Sequence, residues 1–265
     1  MLRSIEVQSR RYPSFGKCVF CLDTENLTDE HVIPEALSGI GQVIIEDGSC
    51  SKCNAYANKA YEQDAFTADF LPIRNMLGLR RKPRGKKQKP RRMPLVSYAD
   101  AAVDIANVKY TEELPIPNYP RQCSFVVHEP AGKLAGVDRS AGSAPFVLMY
   151  IDLGPNGAVQ PYMVGTKHPI IFGAPEMVVA KMAYCYAVAE RGLEAFDTTE
   201  LLDLLKGRRM DVFNFVGKPI ENERLAMLRL HKFYFRKRGN LNTVIVHLFA
   251  SFGGPMYEVV IGPDR

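Results

Sequence analysis

Four cysteines, one histidine and a few acids and amides carry the chemistry this sequence can do. Cys18-Val19-Phe20-Cys21 and Cys50-Ser51-Lys52-Cys53 are two C-x-x-C pairs. Two thiolates at that spacing bind one ion from a tight knuckle, and two knuckles complete a tetrahedral shell of four thiolates that suits structural Zn2+. The 28 residues between Cys21 and Cys50 exceed the roughly 15–20 of common zinc ribbons. The insert must therefore be structured, and it holds Glu30 and His31. Disulfides are the weaker alternative, because no apolar signal peptide precedes the motif and Cys123 and Cys185 stand alone. A shell of four cysteines keeps no open position for a substrate, so such a zinc folds the chain and a reaction needs a second centre. His31, whose imidazole titrates near neutral pH, is the natural base for one.

The order Cys-x-x-Cys, then Glu30-His31-x-x-Pro34, then Cys-x-x-Cys with Asn54 directly after it, resembles the HNH endonuclease family in its four-cysteine, ββα-metal form. The likeness covers about the first quarter of the chain. It implies a metal-dependent DNA endonuclease that hydrolyses phosphodiester bonds. In that reading His31 is the general base, and Glu30 and Asn54 hold a hydrated catalytic divalent cation, Mg2+ or another. Both ligands offer oxygen, as a hard ion prefers. Neighbours on a strand point to opposite faces, so Glu30 and His31 converge only through irregular backbone, whereas Asp29 and His31 share a face. Asp29 is therefore the reserve ligand. The family's middle Asn has no counterpart among Ile44, Ile45, Glu46 and Asp47. The alternative function is a zinc-stapled nucleic-acid-binding module with a decayed catalytic centre.

Particular elements must position these residues. Pro34 to Gly39 allows one helical turn, and Gln42 to Glu46 reads as a β-branched strand, the β part of ββα. From Ser51, a plausible cap, to about Phe70 the alanines favour helix. Asn54, Asn58 and Glu62 then fall on one face. Glu62 extends the polar wall of the metal site, as acids at that distance do in similar proteins, or else belongs to an ordinary solvated stripe.

The 265 residues, 46% hydrophobic and 24% charged, describe a globular α+β chain in two parts. Residues 1–78 form the small zinc-stapled domain, 79–93 a basic linker, and 94–265 a larger mixed α+β domain for DNA recognition, a protein partner or a second copy of the chain. Strands are expected at Cys123–His128, Phe146–Asp152, Val159–Val164 and Ile170–Phe172. Helices follow at Pro175–Arg191 and Thr199–Leu205, and the chain ends in a meander, Lys232–Lys237, Thr243–Phe249 and Tyr257–Ile261. Lys232, Arg236, Lys237 and Arg238 form a second DNA-facing patch or blunt a sheet edge. His128, His168, His231 and His247 pair with no motif and read as structural. No apolar run is long enough for a membrane span, and the cysteine usage fits a reducing cytoplasm.

Between the two parts, Arg80, Arg81, Lys82, Arg84, Lys86, Lys87, Lys89, Arg91 and Arg92 are nine basic residues with no acid among them; the rest of the chain carries 25 basic against 29 acidic residues. All the excess positive charge lies in this run, which suits DNA phosphates. Neutralising Arg84, Lys86, Lys87 and Lys89 together should flatten the slope of log affinity against log salt by up to about 3.6, at roughly 0.9 per phosphate engaged. Affinity should fall equally for unrelated DNA sequences. An unchanged salt slope in a filter-binding titration would mean that this run does not touch DNA.

Overall fold

The computed structural model describes residues 9–38, 41–79, 92–95, 112–115, 122–140, 144–152, 173–221 and 229–265. In the first part, β1 (Arg10–Tyr12) runs parallel to β3 (Val43–Cys50), and β2 (Leu27–His31) pairs antiparallel with β3, giving the order β1-β3-β2. Between them α1 (Glu35–Ser38) is the single turn that Pro34 opens. β3 is longer than the β-branched run alone suggests, because it continues through Asp47, at φ 48°, and Gly48 into the second knuckle. Opposite that irregularity lies Asp29. Gly48 is the residue the close approach demands: a Cβ there would lie 2.8 Å from the Glu30 Cβ and 2.9 Å from the Ile45 Cβ.

The long helix expected after the knuckle is segmented. α2 (Ser51–Ala57) passes into a π-helical stretch at Asn58–Glu62, then α3 (Gln63–Thr67), and α4 (Leu71–Met76) begins after a break at Ala68 with Pro72 in its first turn. Its cap is Cys50 rather than Ser51: the Cys50 Sγ accepts the Cys53 N–H at 3.5 Å. A sulfur on this N-terminus satisfies a free donor as a serine oxygen would, and ties the helix to the knuckle.

Next come the paired strands β4 (Arg92–Leu95) and β5 (Glu112–Pro115), then β6 (Gln122–His128) and β7 (Phe146–Asp152), with α5 (Gly132–Ala135) between the latter two. α6 (Ala174–Arg191) and α7 (Thr199–Leu205) lie where the sequence puts them, with Pro175 in the first turn of α6 and Gly192 just past its end. β8 (Val216–Gly217), β9 (Lys232–Arg238), β10 (Leu241–His247) and β11 (Met256–Pro263) form an antiparallel sheet of order β8-β11-β10-β9, which contains the expected meander. Arg80 to Arg91 lie outside the described residues, as do the strands expected at Val159–Val164 and Ile170–Phe172. No helix among the described residues is long and apolar enough to cross a membrane.

α6 is the element both parts share. Thirteen of its 18 residues are buried, so it is wrapped on nearly all sides, as a helix central to a core must be. Toward the first knuckle, Tyr184 sets its ring centre 5.5 Å from that of Phe20 and donates its hydroxyl to the Val19 carbonyl. Toward the C-terminal sheet, Tyr186 lies 5.2 Å from Phe233 and 5.3 Å from Phe235. One apolar cluster therefore takes members from both parts, from Tyr12 through Leu79 in the first and from Cys123 through Ile261 in the second. Three of the scattered histidines hold backbone carbonyls from within this core: His128 that of Ala144, His231 that of Leu37 and His247 that of Gly254. His168 is outside the described residues.

Candidate functional site

The four motif cysteines converge. Their sulfurs lie within 4.8 Å of one another, with Cys21 Sγ 3.6 Å from Cys50 Sγ, and all four are free thiols. A tetrahedral zinc with Zn–S of about 2.3 Å needs sulfurs about 3.8 Å apart, so the quartet fits one such ion. Local backbone builds it. The Leu22 N–H closes the first knuckle onto the Cys18 carbonyl at 2.9 Å, with Leu22 at φ 66°, and the Val19 N–H reaches the Gly48 carbonyl at 2.9 Å, fastening that knuckle to β3. Burial would push the Cys50 thiol up, but the Cys53 N–H and the neighbouring sulfurs bring it below the usual thiol value. Among the described residues, no other three His, Cys, Asp or Glu side chains lie close enough to share an ion.

The residues assigned to a catalytic cation behave differently. β2 turns Glu30 inward, 1% exposed, and His31 to the other, half-buried face. The register irregularity falls at Asp29, too early to bring the two together. Asp29 itself is at the surface, where it accepts from Arg11 Nη2 at 3.2 Å and from the Asp47 N–H at 3.3 Å. The face expected to carry Asn54, Asn58 and Glu62 is interrupted by the π-helical stretch. Asn58 is exposed, Asn54 is half-buried, and Glu62 is buried. A wider turn shifts the register of every residue after it, and such stretches recur at functional sites.

Glu30 and Glu62 do meet, at a residue of α6 that the motifs do not include. Lys181 of α6 places its Nζ 2.7 Å from Glu30 Oε1 and 2.8 Å from Glu62 Oε1, with only 5% of its side chain exposed. Burial alone would lower this ammonium, but Glu30 and Glu62 reverse that and hold it well above the usual lysine value. Beside it, burial pushes the Cys185 thiol well up. A signal for Lys181 was present: it is the one charge between Met177 and Ala189, and a lysine in such a run needs a carboxylate partner inside the protein. Glu30 Oε2 and His31 Nδ1 are buried without a hydrogen-bond partner among the described residues.

As they stand, these residues do not fit a catalytic divalent cation. The point on which the two carboxylates converge is filled by the ammonium. A dication about 4 Å from it would meet a repulsion on the order of 8 kcal/mol at an effective dielectric near 20. Glu30 is also sealed from solvent, whereas a working Mg2+ keeps several waters and faces its substrate. The orphaned Glu30 Oε2 could face a cation, but its carboxylate already holds that ammonium.

Several basic residues of the described surface, Arg236, Lys237 and Arg238 of the second patch among them, lie against acids. Arg10 pairs with Glu190 at 2.6 Å, Arg11 with Glu46 at 2.8 Å, Lys237 with Asp264 at 2.6 Å and Arg238 with Glu258 at 2.9 Å. Arg236 lies 3.5 Å from Glu221. Arg229 and Lys232 gather with Tyr186 and Phe233 around an open groove of about 450 Å3, which Glu190 also lines together with its partners Arg10 and Tyr12. Compared with protein-family models, curated proteins and solved structures, the chain matches none.

Two outcomes follow from this geometry. Purified protein should carry one zinc per chain by atomic absorption, and Cys50→Ser should lose both the zinc and the fold of the first part, since metal binding and folding are one free energy here; folded, zinc-free protein would contradict this. Lys181→Met should destabilise the protein by about 3–5 kcal/mol, because it strands two buried carboxylates. Adding Glu30→Gln and Glu62→Gln should recover part of that loss in denaturant titrations, and no recovery would mean that Lys181 acts through packing alone.

Proposed function

We propose that this chain binds nucleic acid through a zinc-stapled ββα module in which Lys181 stands where HNH enzymes hold their cation. The observation that carries this reading is the pair of contacts from Lys181 Nζ to Glu30 and Glu62. An ammonium there neutralises one of the two carboxylate charges and fills the point on which both converge. Nucleic acid is the partner favoured by the likeness to HNH enzymes, by the nine-residue basic run and by the groove in which Arg229 and Lys232 stand beside Tyr186 and Phe233. Such a combination suits phosphate contact together with base stacking. DNA is the expected form, and the free thiols suit a reducing compartment such as the cytoplasm.

A second reading, the phosphodiester-cleaving enzyme, is favoured by a different observation. Glu30 Oε2 and His31 Nδ1 are neighbouring residues' buried polar atoms, and neither has a partner among the described residues. Unsatisfied buried groups ask for an explanation, and a catalytic role is one. In that reading His31 takes the proton of the attacking water, and Lys181 must withdraw before Glu30 is available.

Incubation with supercoiled plasmid, with and without Mg2+, separates the two readings. Wild-type protein should retard the plasmid on a gel without nicking it. Mg2+-dependent nicking that falls by about 10²–10⁴-fold in His31→Ala, the usual scale for a positioned general base, would replace the first reading with the second.

A further inference from the structure

Two ionisable side chains that neither reading uses face one another inside the second part. Glu176, in the first turn of α6, places its Oε1 3.4 Å from Nε2 of His128 at the end of β6, and each side chain is 3% exposed. The other ring nitrogen decides how protons are shared between them. His128 Nδ1 lies 3.2 Å from the Ala144 carbonyl, which only accepts, so Nδ1 carries a hydrogen. His231 and His247 instead turn Nε2 to their carbonyls, and His231 Nδ1 accepts from the Phe249 N–H. His128 is therefore the one of the three whose Nε2 faces a carboxyl group.

A contact between Nε2 and Oε1 needs one hydrogen between them. Imidazolium beside carboxylate and neutral imidazole beside carboxylic acid both supply it, and both leave the pair without net charge. Without that hydrogen a lone pair faces a buried anion. The surroundings favour the uncharged form, since the ring centres of Phe213 and Phe146 lie 4.2 and 5.9 Å from that of His128. Burial, helped by the charge of Asp69, pushes the Glu176 carboxyl up to about 7. Burial, helped by Arg139, holds His128 below its usual value. The hydrogen thus sits on Glu176, which donates it to Nε2. Asp69, in the link between α3 and α4, is a second acid of this neighbourhood: its Oδ2 is buried with no hydrogen-bond partner among the described residues, and burial pushes it up to about 6. Tyr257 of β11 feels both acids, and burial keeps its hydroxyl protonated. Glu129, next to His128, is paired with Lys218 at 2.8 Å.

We propose that Glu176 and His128 hold one proton between them and that its release makes the first turn of α6 a pH-sensitive latch on β6. On release the O–H bond of Glu176 breaks, the proton passes to solvent, and the carboxylate is left against the Nε2 lone pair. In the unfolded chain Glu176 ionises in the ordinary carboxylate range, whereas the folded chain keeps the proton until about pH 7. Folding therefore takes up a proton between those values. The stability that Glu176 contributes is fully present below the ordinary carboxylate range and is lost as pH rises through about 7. Asp69 acts in the same direction through about 6. His128, His231 and His247, held low by burial, act in the opposite direction and lose stability as pH falls, so the latch is read against a variant and not from the total profile.

The test uses full-length, zinc-loaded protein in denaturant titrations. Between about pH 6 and about pH 8 the folding constant of wild type relative to Glu176→Gln should fall roughly tenfold, because the amide of the variant donates to Nε2 at every pH. Parallel profiles would overturn the latch. Imidazole 15N spectra of histidine-labelled wild-type protein read the proton directly and do not need the variant to fold. His128 should keep its hydrogen on Nδ1 throughout, and its Nε2 signal should move as pH crosses about 7, while His231 and His247 show the opposite tautomer. A His128 that lacks the Nδ1 hydrogen, or an Nε2 signal that stays in place, would equally overturn it.

Discussion

Lys181 Nζ, held between Glu30 and Glu62, is the interaction on which the arrangement around it depends. Three charged groups have left water together, and such a cluster is tolerable only while all its members are present. That requirement explains features which look unrelated along the chain. Gly48 must lack a side chain so that Glu30 can turn inward beneath β3. The π-helical stretch at Asn58–Glu62 must widen the helix so that Glu62 turns inward while Asn58 stays in water. α6 must pass close to both, and the Tyr184 hydroxyl on the Val19 carbonyl fixes that approach beside the first knuckle.

The zinc quartet and the buried cluster share their scaffold. Cys50 ends β3, caps α2 and contributes a sulfur to the quartet, while Glu30 lies on the strand that pairs with β3. A metal that fixes the position of Cys50 thereby fixes the register in which Glu30 faces Lys181. The thiolates do no chemistry themselves, since a closed shell of four cysteines offers no open position. Their contribution is to hold a short hairpin and a helix at one angle, which so few residues could not do by apolar burial alone.

What the sequence revealed, and what it hid, divides along physical lines. Spacing rules are local, so the two knuckles, the β3–α2 junction, α6 with its proline and glycine ends, and the C-terminal meander were legible from residue order. Burial is not local. Glu30 and Asn54 read as cation ligands because their types and positions match a known pattern, but whether a carboxylate meets a metal or an ammonium depends on a residue 151 positions further along the chain. Nothing in a propensity scale anticipates a π turn, so the face drawn through Asn54, Asn58 and Glu62 assumed a regular helix that the chain does not keep. The same limit applies to Cys50, whose role as a cap belongs to sulfur geometry rather than to the usual preference for serine.

The cluster also fixes how the two parts of the chain depend on one another. A small ββα module stapled by zinc would be expected to fold by itself once the metal is bound, with its acids facing solvent. Here the acids face α6, which belongs to the second part, and the Phe20–Tyr184 contact closes over the same seam. Separating the parts would uncover an apolar face and leave Glu30 and Glu62 without their cation. The two parts therefore share one core, and α6 packs on the hairpin from the side opposite its own sheet contacts. Access to Glu30 by any ligand requires displacing Lys181, and displacing Lys181 requires moving α6, the helix that also anchors the C-terminal sheet through Tyr186. Opening that seam would disturb the core on both sides at once, so the centre is either held shut by the stability of the fold or opened by a partner whose binding offsets that loss.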